Sequence, residues 1–150
     1  NFKFLILPLF VVSSSLAQVE TYLISDQNFR VFLSETFPEI LIEDSLLDIN
    51  ACKSVTEMDC SSRQISNLDG LQHFENLQTL DCSYNTITKL TSIPSKLDYL
   101  NSSYCINLDS IGTLPNTLTH FDCSYNQIST LPNLRSEEHT SELQSPVHLV

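Results

Sequence analysis

Leu77-Gln-Thr-Leu80-Asp-Cys82-Ser-Tyr-Asn85-Thr-Ile87 returns almost unchanged as Leu118-Thr-His-Phe121-Asp-Cys123-Ser-Tyr-Asn126-Gln-Ile128. Between them Leu97, Leu100, Ser102 and Cys105 hold the same places, and Val55, Met58, Cys60, Arg63 and Ile65 give a degenerate earlier copy. Equivalent positions recur 22, 20 and 21 residues apart. A unit of that size cannot bury its apolar edge alone, so such units stack, and the stack leaves a long surface open to a ligand.

The pattern is that of leucine-rich repeats, in which each unit places a short strand around its second leucine position. The fold class expected is α/β: a leucine-rich-repeat solenoid with a parallel β-sheet on the concave face, a short loop/3-10 convex side and an N-terminal helical cap. Alternation along the strand sends Leu80 and Cys82 inward and Thr79, Asp81 and Ser83 outward. Ile65 and Leu68, Ile87 and Leu90, Leu108 and Ile111, and Ile128 and Leu131 follow on the convex side. Each of these contributes about 1.5 to 3 kcal/mol if fully buried. Asn85 and Asn126 stand where the chain leaves the strand, so their role is structural, with Cys105 and Arg63 at the equivalent positions. Pro94, Pro115 and Pro132 favour turns or extended connections over helices.

Organisation changes near Ala51. Upstream, Asp26 is placed to cap a helix whose Phe29, Phe32, Leu33 and Phe37 share one face, and Pro38 stops it. A second short turn is expected from Asp44 or Ser45, directing Leu46, Leu47 and Ile49 toward the first repeat. The domains expected are 1–17, an incomplete signal peptide; 18–54, the N-terminal helical cap; 55–134, about four repeats; and 135–150, an artefactual tail. Phe4 to Val12 is an apolar run behind Lys3, and Ser15-Leu16-Ala17 suits signal peptidase, with cleavage after Ala17. The run is far short of the roughly 18 apolar residues of a membrane span. Arg135 to Ser145 matches, codon by codon, a common short-read sequencing adapter in translation, and the natural chain is expected to continue past Leu134.

Residues 18–134 carry five basic residues against fifteen acidic ones, a net charge of −10. Nucleic acid and anionic membrane are poor partners for such a chain. The cysteines Cys60, Cys82 and Cys123 share one inward column with Ser102. Disulfides and buried thiols compete as readings, and buried thiols are favoured, since in-register side chains point the same way whereas a disulfide needs approaching Cβ atoms. Zinc has no Cys-x-x-Cys or paired His spacing to support it, so no metal and no cofactor are expected.

The order of capping helix (Leu23-Ile-Ser-Asp-Gln-Asn-Phe-Arg-Val-Phe-Leu33), weak first repeat and Asp-Cys-Ser-Tyr-Asn copies resembles the entry module of secreted bacterial leucine-rich-repeat proteins, internalin-like and of the Bacteroidota surface type. The Ile93-Pro94 and Leu114-Pro115 turns depart from it toward the twenty-residue repeats of bacterial effectors. The resemblance implies surface binding or adhesion rather than catalysis. His73 and His120, the histidines before the tail, lack a nucleophile and an orienting carboxylate at recognisable spacing, so no enzyme activity and no catalytic residue are expected.

Function is expected on the outward columns. One reads Asp59, Asp81, Asn101, Asp122; another Ser61, Ser83, Ser103, Ser124; a third Ser62, Tyr84, Tyr104, Tyr125; a fourth Glu57, Thr79, Tyr99, His120. The candidate ligand-binding residues are Asp59, Asp81, Tyr84, Tyr99, Asn101, Tyr104, His120, Asp122 and Tyr125. A solvated strand face is the bland reading, and an acidic, aromatic strip for a protein or glycan the sharper one. The expected molecule is a secreted or cell-surface monomer that binds through this face. Two alternatives stand beside it: a targeting arm of a larger enzyme or toxin, and a structural spacer of a surface protein.

Overall fold

The computed structural model describes residues 19–129. The expected signal peptide, the tail, Leu131 and Pro132 lie outside the described residues. Among the described residues no helix is long and apolar enough to cross a membrane.

The chain enters as strand β1 (Thr21–Leu23) and then helix α1 (Gln27–Thr36). Asp26 caps α1, its Oδ1 accepting from the Phe29 amide at 2.9 Å, and Phe29, Phe32 and Leu33 are buried on one face. The helix closes at Phe37, and Pro38 opens a single 3-10 turn to Ile40, as the restriction on residues preceding proline requires. Strands β2 (Leu41–Ile42) and β3 (Leu46–Asp48) follow, and β3 pairs antiparallel with both β1 and β2. The short turn expected at Asp44 or Ser45 is the turn of a hairpin. Glu43 and Asp44 take left-handed conformations (φ 51° and 59°) that reverse the chain, and Leu46 and Leu47 continue as strand. Helix α2 (Ile49–Cys52) starts one step later, capped by Asp48, whose Oδ1 accepts from the Asn50 and Ala51 amides. This N-terminal region is a small sheet with helices rather than a purely helical segment.

From Glu57 onward the repeats fix the geometry. Strands β4 (Glu57–Asp59), β5 (Thr79–Asp81), β7 (Tyr99–Asn101) and β9 (His120–Asp122) form a four-stranded parallel sheet in that order. Met58, Leu80, Leu100 and Phe121 stand in register across it. That register is the one the repeat spacing predicts. Met58, Leu80 and Leu100 are buried and Phe121 half-buried, with Leu77, Leu97, Cys60, Cys82 and Cys105 packed into the same core.

Beyond each strand the chain crosses the core and returns along the opposite side. There Ile65, Leu68, Ile87, Leu90, Leu108, Ile111 and Ile128 are buried as expected. A second, two-stranded parallel sheet forms there from β6 (Lys89–Leu90) and β8 (Ser110–Ile111), and a 3-10 turn spans Leu71–His73. The little sheet was not expected, because two-residue strands carry no alternation to read.

Gly112 ends this sheet, its amide donating to the Leu90 carbonyl at 2.7 Å. A Cβ at position 112 would collide with the Thr91 carbonyl oxygen, and its carbonyl carbon at 2.8 Å. Backbone cannot swing aside as a side chain can. Gly112→Ala is expected to destabilise the protein by about 1–3 kcal/mol, the usual cost of overpacking, measured by urea denaturation; an unchanged midpoint would contradict the close approach.

Candidate functional site: the outer face of the parallel sheet

Three features meet on the face of the sheet turned from the core. The first is the turn after each strand, where Ser62, Tyr84, Tyr104 and Tyr125 adopt left-handed backbone with φ between 55° and 58°. Such a conformation costs a side-chain-bearing residue of order 1 kcal/mol. It is held by a backbone ladder, in which the amides of Ser62, Tyr84 and Tyr104 donate to the carbonyls of Ser83, Ser103 and Ser124, each at 3.0 Å. The repeated turn aims three rings the same way. Tyr84 and Tyr104 stack at 4.5 Å between centroids, 6° from parallel, and Tyr104 and Tyr125 at 4.2 Å and 16°. Aromatic pairs contribute about 0.5–1.5 kcal/mol beyond area burial, which offsets much of the backbone cost.

The middle ring is sandwiched. Tyr104 is 37 % exposed, against 56 % for Tyr84 and 57 % for Tyr125. Its phenol is pushed up, first by the Tyr125 phenol beside it, then by loss of water around it and by the Tyr84 phenol. Tyr99 and His120 form a looser pair on the neighbouring column, with centroids 6.2 Å apart.

The second feature is the acidic column. Asp59 and Asp122 are exposed and Asp81 half-buried, and each turns its Oδ1 to the amide two residues on: Ser61 at 3.0 Å, Ser83 at 2.9 Å and Ser124 at 2.9 Å. Asn101 makes the same turn in its repeat, accepting from the Ser103 amide and hydroxyl, and donates Nδ2 to Asp81 Oδ2 at 2.9 Å. The amide thus separates two carboxylates that would otherwise adjoin. It also commits the side chain that N-glycosylation at the Asn101-Ser102-Ser103 tripeptide, an Asn-x-Ser acceptor pattern, would need free. Tyr99 feels the whole column. Its phenol is pushed up by partial burial, then by the carboxylates of Asp81, Asp122 and Asp59.

Two of the serines expected outward are buried. Ser83 and Ser103 are 3 % and 5 % exposed. Each hydroxyl folds back onto the Asp81 or Asn101 oxygen that also takes its amide proton. The face is built of carboxylates and rings on a hidden serine layer.

The third feature is the rigid floor. Asn85 is 3 % exposed, with Oδ1 accepting from the Arg63 and Ile65 amides at 3.1 and 3.0 Å. Its Nδ2 donates to the carbonyls of Cys60 and Cys82, both at 2.9 Å. Asn126 repeats the motif between Cys105 N and Ser102 O. Cys105, in the same place one repeat earlier, points Sγ at the Cys82 carbonyl at 3.3 Å, a weaker form of the same bond. All five cysteines are buried and free. Burial, then the nearby carboxylates of Asp59 and Asp81, pushes the Cys60 thiol up to about 12, and burial first raises Cys82 as well. Neither thiol is a nucleophile at neutral pH.

The nine candidate residues named from the sequence all lie on this one face or its bordering turn. Sequence reasoning missed the ring-on-ring stacking of the tyrosines. The signal was present in the 20- and 21-residue spacing of Tyr84, Tyr104 and Tyr125, since in-register strands place equivalent residues less than 5 Å apart. Among the described residues no group of three or more His, Cys, Asp or Glu side chains is arranged to hold a metal ion.

No curated protein matches the chain. Residues 53–95, which hold the first two strands of the parallel sheet and the turns that follow them, match a family model described as Leucine Rich repeats (2 copies): the chain carries leucine-rich repeats, units that generally mediate protein–protein interaction.

Proposed function

We propose that this chain is a non-catalytic, protein-binding module, a solenoid that grips its partner through the concave face lined by the acidic column and the tyrosine ladder. The observation that carries the reading is the ladder itself, three partly exposed rings stacked at 4.5 and 4.2 Å beside Asp59, Asp81 and Asp122. Rigid, half-exposed tyrosines lose little entropy when covered, which is why they recur at binding hot spots. A protein partner is favoured over a glycan. Sugars stack on open ring faces, whereas here both faces of Tyr104 and one face of Tyr84 are taken up within the ladder. A basic surface complements the face, since its strands carry Glu57, Asp59, Asp81 and Asp122 and neither Lys nor Arg, and Arg63, in the turn after the first strand, is paired with Glu35.

We also place the module outside the cell, as a monomeric adhesion domain of the internalin-like bacterial type. The apolar segment from Phe4 to Val12 and the small residues before Gln18 support export. The order of capping helix, weak first repeat and tyrosine-bearing copies supports the family assignment.

Two triple variants test the binding reading against the partner once it is isolated. Replacing Tyr84, Tyr104 and Tyr125 with Ala is expected to weaken binding at least about ten-fold, the effect of losing one hot-spot cluster. Two stacked pairs go with them, so a stability loss of about 1–3 kcal/mol accompanies it. Replacing Asp59, Asp81 and Asp122 with Asn is expected to weaken binding and flatten its salt dependence. Asn101 already closes the same turn in its own repeat, so the fold tolerates the exchange. Lys89→Ala, on the opposite side, is the control. Full affinity in both triple variants would remove the concave face from consideration.

A further inference from the structure

The tyrosine ladder has a fourth station with no ring. Ser62 shares the left-handed turn of the three tyrosines (φ 58°) and the same backbone bond, its amide to Ser83 O at 3.0 Å. Where the next repeats place rings at 4.5 and 4.2 Å, this one places a hydroxymethyl group. One face of Tyr84 therefore lies against Tyr104 and the other looks over Ser62. Three residues before Ser62, at the end of its strand, stands Asp59, exposed, with Oδ1 turned to the Ser61 amide at 3.0 Å and Oδ2 without a hydrogen-bond partner among the described residues. Asp81 differs, since its Oδ2 is taken by Asn101.

The neighbouring cation of the chain itself is turned away from the gap. Arg63 lies 5.5 Å over the Phe32 ring and pairs with Glu35 at 2.8 Å, on the helical side.

We propose that the Ser62 station is an arginine-reading subsite, in which a guanidinium from a basic partner stacks on Tyr84 as the missing rung and donates to Asp59 Oδ2. This rests on the outer face being the binding surface and names the chemistry read at its first repeat. A guanidinium is planar, stacks on aromatic faces and donates in the same plane to a carboxylate; an ammonium can pair with Asp59 but has no plane to stack. The subsite thus distinguishes arginine from lysine where the acidic column alone reads only charge.

The test uses the full chain and two fluorescent probes, tetra-arginine and tetra-lysine peptides, with affinities from anisotropy at fixed ionic strength. The arginine peptide is expected to bind about two- to five-fold tighter, the worth of one exposed cation–π contact. Ser62→Tyr fills the gap with the chain's own ring in a backbone conformation already proven for tyrosine three times. It is expected to bring the ratio to one while leaving the lysine peptide's affinity unchanged. Tyr84→Leu, which keeps apolar bulk but removes the ring, is expected to bring the ratio to one as well, and Asp59→Asn to weaken both peptides. Equal affinities in wild type, a preference that survives in Ser62→Tyr, or no binding of either peptide would each overturn the subsite. If both peptides bind equally and both are lost in the triple Asn variant, the subsite falls while the acidic outer face stands.

Discussion

Asn85→Ala is expected to destabilise the protein by about 3–5 kcal/mol, more than any exchange on the outer face. The side chain satisfies the amides of Arg63 and Ile65 and the carbonyls of Cys60 and Cys82, and all but the bond from the Arg63 amide are buried. Removing one partner from a buried hydrogen bond leaves the other unsatisfied, at about 1–3 kcal/mol each. Several are orphaned at once, and relaxation and water entry recover part of the sum. Asn126, half-buried and bonded to Cys105 N and Ser102 O, is expected to cost less, about 1–3 kcal/mol. Urea denaturation of the two variants checks the order. Equal losses would mean that the buried network around Asn85 does not hold the first two repeats together.

Asp26→Ala is expected to cost about 2–3 kcal/mol, beyond the cost of a helix cap alone, which is about 0.5–2 kcal/mol. Its Oδ1 caps α1, while Oδ2 accepts from the Ser66 amide at 2.8 Å, the Ser66 hydroxyl at 2.6 Å and the Asn67 amide at 3.1 Å. One carboxylate thus pins the N-terminal helix to the first repeat. Partial burial pushes its pKa up, but the Ser66 hydroxyl and the three amides together outweigh it and hold the group below its ordinary value. The sign of the pH dependence follows. A depressed pKa gives stability that is fully present above the unfolded value of about 3.9 and is lost as pH falls through the folded one. Asp26→Asn keeps a cap oxygen but loses the charge. Its deficit against wild type is expected at pH 7 and should shrink below about pH 4. A deficit that stays constant into acid would show that the charge contributes nothing.

The repeats were legible because their information is periodic. Leu80, Leu100 and Phe121 share a position in the motif, and sharing it dictates adjacency once the units stack, so strand order, register and the buried column followed together. Asp26 was legible for a local reason, since a cap needs only its own oxygen and the amide three residues on. The region from Leu41 to Asp48 was less so. Its hairpin depends on Glu43 and Asp44 entering left-handed backbone without a glycine to announce it, and β3 is a strand because β1, twenty-odd residues upstream, pairs with it. Nothing within the segment states that partner. On the outer face, the columns were readable as lists but not as contacts. Ser83 and Ser103 looked outward by alternation, yet the strand ends at Asp81 and Asn101 and the turn that follows draws their hydroxyls back onto those two side chains.

Hydrogen–deuterium exchange of the free chain against its partner-bound form tests the central claim most directly. Protection on binding is expected across residues 57–62, 79–84, 99–104 and 120–125, where the carboxylates and the tyrosine ladder lie, with the opposite side from Thr86 to Ile93 and from Ile106 to Thr113 unchanged. Protection confined to that opposite side, with the tyrosine turns exchanging as in the free chain, would contradict binding through the outer face of the sheet.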